Sequence, residues 1–536
     1  MVGTPSAHVD TFCRENLPPE SEWPEFLLDR PEVTYPGRLN CATALLDDVV
    51  GDLGGDRPCL LAPGGDAWSY ERLLSTSNRI ANLLTTELGL VPGNRVLLRG
   101  PNAPWLVACW FGVLKAGGVV VATMPMLRPR ELAEIHDIAR IDLALCDHRF
   151  LDDLVAGIPD VPTVAYGGSA SDDLTARLAD QPDTHDDVAT AADDVALLAF
   201  TSGTTGRPKA TMHFHRDVLA IADTFSAQVV KPRSDDVFAG TPPLAFTFGL
   251  GGLVVFPLRA GASTLLIEKA TPTGLAHHIS EHGVTVCFTA PTAYRAMVAS
   301  GDAGLLSTLR RAVSAGEHLD EPTWHAFHDA TGVKLIDGIG ATEMLHVFIS
   351  AADDDIRPGA TGVAVPGYEA RIVDAQGQPV PDGTPGRLAV KGPTGCRYLA
   401  DPRQRVYVEN GWNITGDTFR RDEDGYFWFC ARSDDMIISS GYNIAAPEVE
   451  EAVLSHPDVL ECAVVGVPDE ARGAVVKAVV VVREGVVRDD ALVQQIQDQA
   501  KAVIAPYKYP RVVEFVDALP RTATGKIQRF RLRQPK

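Results

Sequence analysis

From Trp68 onward, apolar patterns of helical period alternate with short β-branched runs, and few folds accommodate such alternation. Residues 69–88 read as a helix, 95–98 as a strand and 104–116 as a helix. Further strand-like runs occur at 264–268, at 284–289 ahead of a helix opening at Pro291, and at 311–314 leading into Ala315-Gly316-Glu317. Such alternation builds α/β layers, because parallel strands need crossover connections. At 536 residues the chain exceeds what one hydrophobic core organises, so at least two domains are expected.

The pattern then changes twice. Residues 368–429 become short strands with turns at Asp382-Gly383 and Asp424-Gly425, as in an antiparallel subdomain. After Arg432-Ser433-Asp434-Asp435 come a helix near 446–455, strands near 461–467 and 475–482, and a helix near 489–503. The expected fold class is therefore α/β. A large N-terminal domain (1–433) has several subdomains with mostly parallel sheets and a small β-rich subdomain, and a small mobile α+β domain (434–536) follows. Its short, charged boundary suits a hinge. Residues 167–194, rich in Asp, Ala, Ser and Thr, read as a loop over the surface.

Charge narrows the partners. Lys plus Arg total 48 against 70 Asp plus Glu, a formal net charge of -22, which argues against a nucleic-acid or anionic-membrane surface. Nine scattered cysteines with no CxxC pair and no short Cys/His cluster disfavour structural zinc and a disulfide framework, and suit a reducing cytoplasm. The N-terminus lacks the pattern of a secretory signal, and no apolar run reaches membrane-spanning length. The runs 105–122 and 250–266 are interrupted by Lys115, Arg259 and glycines, and read as buried core.

Directly behind the apolar run 195–200 stands TSGTTGRPK, residues 201–209. Gly203 and Gly206 permit unusual backbone conformations, Thr201, Ser202, Thr204 and Thr205 supply hydroxyls, and Lys209 adds positive charge, a set able to wrap phosphate. Pro208 before Lys209, with Ala210 after it, departs from the Gly-Lys-Ser/Thr ending of a Walker A loop. The same residues also make an ordinary solvated turn.

Four further motifs stand beside it: DGIGATEM (337–344), NITGD (413–417), RSDDMIISSGYNIAAPEVE (432–450) and PRTATGKIQR (520–529). In this order and spacing the set resembles the acyl-adenylate-forming superfamily of acyl- and aryl-CoA ligases. DGIGATEMLHVF and TMHFHRD (211–217) are most similar to benzoate- and 2-aminobenzoate-CoA ligases. The resemblance implies an AMP-forming acid–thiol ligase. ATP would activate an aromatic or bulky apolar carboxylic acid as an acyl-adenylate, and CoA would then take the acyl group, releasing AMP and pyrophosphate.

The resemblance also assigns roles. Lys526 becomes the main catalytic cation, Glu343 the magnesium ligand and Thr342 a phosphate donor. ATP would be held by the 201–209 loop together with Gly316, Glu317, Asp337, Gly338 and Ile339, the last standing where an adenine-stacking tyrosine is common. Asp417 would hold the ribose hydroxyls from a tight turn, with Arg432 beside it. Asp434 becomes the hinge, and Ser439, Ser440, Gly441 and Tyr442 line the approach of the CoA thiol.

On their own, the residues keep plainer readings open. Glu343 could be a solvated loop carboxylate, Asp417 a local cap, Lys526 an exposed lysine beside a basic tail and Gly441 a turn glycine. In the segment 242–252 no acidic residue awaits a substrate ammonium. Ala245, Phe246, Phe248 and Gly249, with Gly340, Met344 and His346, would border an apolar acyl pocket. There His346 could bond a ring substituent or be a core histidine. Gly249, Gly251 and Gly252 would leave room for a polycyclic acid.

Alternatives to free CoA are a carrier protein in trans or an enzyme specialised for one half-reaction. A non-catalytic nucleotide-binding homologue is the reading from another class. The resemblance leaves a homodimer open.

Overall fold

The computed structural model describes residues 4–201, 208–432, 436–439, 442–469, 473–504, 508–521 and 527–533. The chain forms two compact units, residues 1–370 with 390–413, and residues 371–389 with 414–536. In the first, a six-stranded sheet has the order β6 (Thr163–Tyr166), β5 (Leu143–Asp147), β3 (Arg95–Arg99), β4 (Val119–Thr123), β7 (Val195–Thr201) and β8 (Lys209–Phe214). Only β8 runs antiparallel to its neighbour.

A nine-stranded sheet in the same unit has the order β15 (Val363–Ala364), β14 (Val347–Ser350), β13 (Leu335–Gly340), β12 (Arg311–Ala315), β11 (Val286–Thr289), β9 (Val237–Gly240), β10 (Ser263–Leu265), β1 (Pro58–Leu61) and β2 (Ala67–Ser69). Pairing is parallel from β13 to β1 and antiparallel at both edges. The mostly parallel α/β expectation holds. β3, β5 and β11 are buried along their whole length, as strands covered on both faces are.

Local rules explain the helices. Ser69 caps the helix Tyr70–Thr86 by accepting from the Arg72 N–H, and Leu73, Ile80, Leu83 and Leu84 fill its buried stripe. Pro104 opens the helix Pro104–Lys115, which is buried almost throughout. Lys115 is fully buried there, and its ammonium meets Asp47 at 2.5 Å and Asp187 at 3.0 Å. Two carboxylates thus compensate a cation inside the core.

The segment 167–194 is no free surface loop. Leu174, Leu178, Asp173 and Asp194 are buried, Asn78 donates to the Asp183 carbonyl, and Ala7 donates its N–H to Asp194 at 2.9 Å. Low apolar periodicity concealed anchors made by carboxylates and backbone.

Residues 369–432 supply the β-rich part: β16 (Glu369–Val373), β17 (Gly386–Lys391), β18 (Val408–Glu409), β19 (Trp412–Arg421) and β20 (Phe427–Arg432). Gly383 and Gly425 take φ of 81° and 89°, the left-handed conformation that their turns require. Next come the hairpin β21 (Met436–Ser439) with β22 (Tyr442–Ala445), the helix Ala446–Leu454, and β23 (Val459–Asp469) antiparallel to β24 (Gly473–Val482). The helix Asp490–Val503 then leads to β25 (Val512–Phe515), parallel to β24. Ile437, Ile444, Val449, Val464, Val480 and Ile496 share one core, the expected small α+β arrangement.

Candidate active site

β7 and β8 form a hairpin with Thr201 opposite Lys209; the intervening Ser202, Gly203, Thr204, Thr205 and Gly206 lie outside the described residues. At its base the Lys209 ammonium sits 2.9 Å from Glu343 Oε1 and donates to the Tyr398 hydroxyl. It also lies 4.3 Å from the Tyr398 ring centroid. Tyr398 donates its O–H to the same Oε1 at 2.5 Å. Glu343 is buried, which removes the solvated-carboxylate reading. Burial, followed by the charge of Glu343, pushes the Tyr398 phenol far above its ordinary value, so it stays a donor.

Three anchors place this carboxylate. Glu343 lies on the one-turn 3₁₀ helix Thr342–Met344 that follows β13, and His213 Nε2 on β8 bonds the Thr342 carbonyl at 2.8 Å. Burial depresses His213 to about 4, so the neutral ring donates. Thr394 donates its hydroxyl to the Met344 carbonyl at 2.8 Å. Residues 397–399 run beside β8, the Met212 N–H donating to the Arg397 carbonyl at 2.8 Å and the Leu399 N–H to the Ala210 carbonyl at 2.9 Å. The fully buried Arg397 pairs with Asp217 and lies 3.7 Å from the Phe214 ring centroid. Tyr398 is thereby held over Lys209.

The C-terminal ends of parallel strands adjoin this cluster, where open α/β sheets bind ligands. Ala315 on β12 pairs with Gly338 on β13, so Gly316 and Glu317 follow one strand end while Gly338, Ile339 and Gly340 finish the next. Asp337 keeps its Oδ1 buried without a hydrogen-bond partner among the described residues. Burial pushes its carboxyl up to about 8, against the opposing pull of the Gly338 backbone and the Thr361 hydroxyl.

Three residues beyond Glu343 the chain enters an aromatic box. The buried His346 ring stacks on Phe225 at 5.4 Å and meets Phe256 at 4.6 Å, Phe248 at 5.5 Å and Phe288 at 6.4 Å. Burial pushes the imidazole down to about 3, and the Phe248 backbone opposes this without reaching hydrogen-bond geometry. Neither ring nitrogen has a hydrogen-bond partner among the described residues. Ala245, Phe246 and Phe248 stay partly exposed, whereas Met344 is buried.

The glycines expected to enlarge the pocket do something else. A Cβ on Gly249 would lie 2.1 Å from the Pro243 carbonyl oxygen, on Gly251 2.3 Å from the His346 ring and on Gly252 2.6 Å from the Phe288 ring. Protein fills the vacated space, so these glycines give no room for a polycyclic acid.

Residues 48–398 match the family model of the AMP-binding enzyme, and residues 448–526 that of the AMP-binding enzyme C-terminal domain. This chain belongs to the AMP-binding enzyme family. It is 34% identical to the benzoate–CoA ligase of Thauera aromatica over 94% of this chain and 97% of that protein. It is also 34% identical to the 3-hydroxybenzoate–CoA ligase of Aromatoleum sp. (strain CIB), over 93% and 97%. The crystal structure of the anthranilate CoA ligase AuaEII in complex with anthranoyl-AMP is similar, with a TM-score of 0.88 and 34% identity over 94% and 98% of the two chains. The resemblance to acyl-adenylate-forming enzymes of benzoate and aminobenzoate type is borne out.

Other family positions fall in the second unit. Asp417 does not occupy a tight turn. It lies within β19, opposite Arg432 on β20, just after Gly416 at a φ of 79°. Strand pairing therefore brings these two nucleotide candidates side by side. Ser439 ends β21 opposite Tyr442 on β22. Lys526, Asp434, Ser440 and Gly441 lie outside the described residues.

Sequence reading missed Tyr398, Arg397, Phe225, Phe256 and Phe288. None stands in a glycine-spaced motif, and only the pairing of 397–399 with β8 and the sheet order bring them together.

Proposed function

We propose that this AMP-binding enzyme is an aryl-CoA ligase. It uses ATP to activate an aromatic carboxylic acid as an acyl-adenylate and then forms the CoA thioester, releasing AMP and pyrophosphate. One observation carries the reading. A buried carboxylate, Glu343, is held by Lys209 and Tyr398 at the base of a hairpin suited to phosphate, three residues before His346 in an aromatic box, whose imidazole has no hydrogen-bond partner among the described residues.

The chain's residues divide the work. The β7–β8 loop with Lys209 receives the phosphates, and Gly316, Glu317, Asp337, Gly338 and Ile339 line the adenine side. The carboxylate of the acid and the α-phosphate repel, so positioning and cationic side chains lower the barrier. Thr342 donates to phosphate, and Lys526 is assigned to the carboxylate and the α-phosphate. The phenyl box takes the ring of the acid, and His346 hydrogen-bonds a polar ring substituent, favouring a monocyclic hydroxy- or amino-substituted acid.

Glu343 fits magnesium. Both its contacts among the described residues fall on Oε1, leaving Oε2 for a metal that takes few protein carboxylates and several waters or phosphates. Bound there, the ion would neutralise phosphate charge. The domain 434–536 turns about Asp434 between half-reactions, presenting Lys526 for the first and the Gly441 segment to CoA for the second.

An assay with ATP, magnesium, CoA and a panel of benzoates, fatty acids and polycyclic acids tests this. Acid-dependent AMP and an aryl-CoA mass are expected. Adenylate without a CoA product would move the acceptor to a carrier protein, and no acid-dependent AMP would reduce the chain to a binding homologue. His346→Phe should remove the preference for substituted rings while leaving benzoate turnover.

A further inference from the structure

A histidine pair outside the nucleotide and acyl sites has the geometry of a metal chelate. On the helix Pro272–His282, which crosses from β10 to β11, Leu275, Ala276 and Ile279 form the buried face. His278 and His282 stand one turn apart beside it, with Glu281 between them. Residues at i and i+4 are neighbours on a helix surface, the spacing by which helical zinc sites place two imidazoles on one ion. His278 Nδ1, His282 Nε2 and a Glu281 carboxylate oxygen all lie within 4.8 Å of one another.

Two observations point to a ligand here. His278 Nδ1 and His282 Nε2 are each buried and have no hydrogen-bond partner among the described residues, although polar nitrogens removed from water ordinarily find one. Each instead faces Glu281 Oε2, at 3.8 Å and 3.9 Å, too far for a hydrogen bond. Zinc bonds of 2.0–2.2 Å in tetrahedral geometry set ligand atoms about 3.4 Å apart. The set therefore closes on an ion when its ligand atoms, now within 4.8 Å, draw together by roughly 1.4 Å at most. Its place in the last helical turn adds the favourable field of the helix C-terminus for a cation.

We propose that His278, Glu281 and His282 bind one divalent transition-metal ion of the zinc class, water completing the shell. The nitrogen donors select against magnesium, which prefers oxygen ligands. This site uses none of the residues assigned to ATP or the acid. The sequence AHHISEH (residues 276–282) carries this spacing with no cysteine, so the absence of a Cys/His cluster, read above as disfavouring structural zinc, does not exclude it.

The test is calorimetric titration of the chelator-stripped full chain with zinc chloride in excess magnesium. One equivalent of zinc should bind, with a rise in thermal midpoint, and cobalt in its place should give the visible absorption of a tetrahedral site. His278→Gln with His282→Gln should lower zinc affinity by at least about tenfold without changing the zinc-free midpoint or AMP formation. If that double variant folds poorly, His282→Gln alone, at the C-terminal end of the helix, carries the same expectation. Absence of zinc binding, or equal affinity in wild type and variants, would overturn the proposal.

Discussion

Glu343 and Tyr398 make different predictions although they touch. Glu343→Gln keeps the shape and a hydrogen-bond acceptor but removes the charge, so acid-dependent AMP release should fall by about 10²–10³. Tyr398→Phe removes one donor that orients Glu343, and a fall of roughly tenfold is expected, with a raised magnesium requirement. Equal losses in both variants would refute this division. Asp337 adds a pH effect. Its folded value of about 8 exceeds the ordinary 3.8, so its contribution is full below about pH 4 and disappears as pH rises through 8. His213, His215 and His346, depressed to about 4, 3 and 3, work in the opposite sense, losing stability as pH falls below 6.5. From pH 6.5 to 8 the Asp337 loss opposes the last of the histidine gain. The Asp337 part of the change is a decline in the thermal midpoint equivalent to about 1 kcal/mol, reduced because Asp337 stays partly exposed. Asp337→Asn should flatten that decline; an unchanged slope would remove Asp337 as its source.

Between elements, β8 and the strand-like 397–399 segment form the frame on which Tyr398 and Lys209 meet, and the Asp217–Arg397 pair fastens it. Asp217→Asn leaves a fully buried guanidinium unpaired, a loss of about 3–5 kcal/mol. Asp217→Leu combined with Arg397→Met removes both charges and should recover part of the thermal midpoint, while equal losses in single and double variants would show that the pair is not the fastening. This element also shows what the sequence could and could not reveal. Helices and strands from 69 to 116 were legible because capping and periodicity are local: Ser69 and Pro104 each begin their helices as expected. Glu343 and Lys209 were legible through their motifs. Tyr398 was not, because its partners lie 55 and 189 residues away in the chain, and no local pattern marks an aromatic side chain that acts across sheets. Asp417 was found with the wrong local structure, since Gly416 suggests a turn while β19 and β20 pair through that position. The three pocket glycines were misread for the reverse reason, as a missing side chain says nothing about what fills the space.

At the scale of the whole molecule, the two half-reactions place incompatible demands on one site. Adenylation needs a cation beside the carboxylate and the α-phosphate; thioester formation needs that space open for a thiol. A part of the chain that moves between the two steps would meet both demands in turn. If Lys526 acts only in the first step, Lys526→Ala should lower acid-dependent AMP formation by about 10²–10³, yet retain most of the rate at which preformed aryl-adenylate and CoA give aryl-CoA. Rotation makes a second, opposite demand. Asp434→Pro, which restricts the backbone at the proposed hinge, should spare adenylation and slow thioester formation. The two variants should thus fail in complementary halves of the cycle, read by pyrophosphate release and by thioester mass. Loss of both halves in each variant would exclude alternation about this position, because a static site would couple the two steps through the same residues.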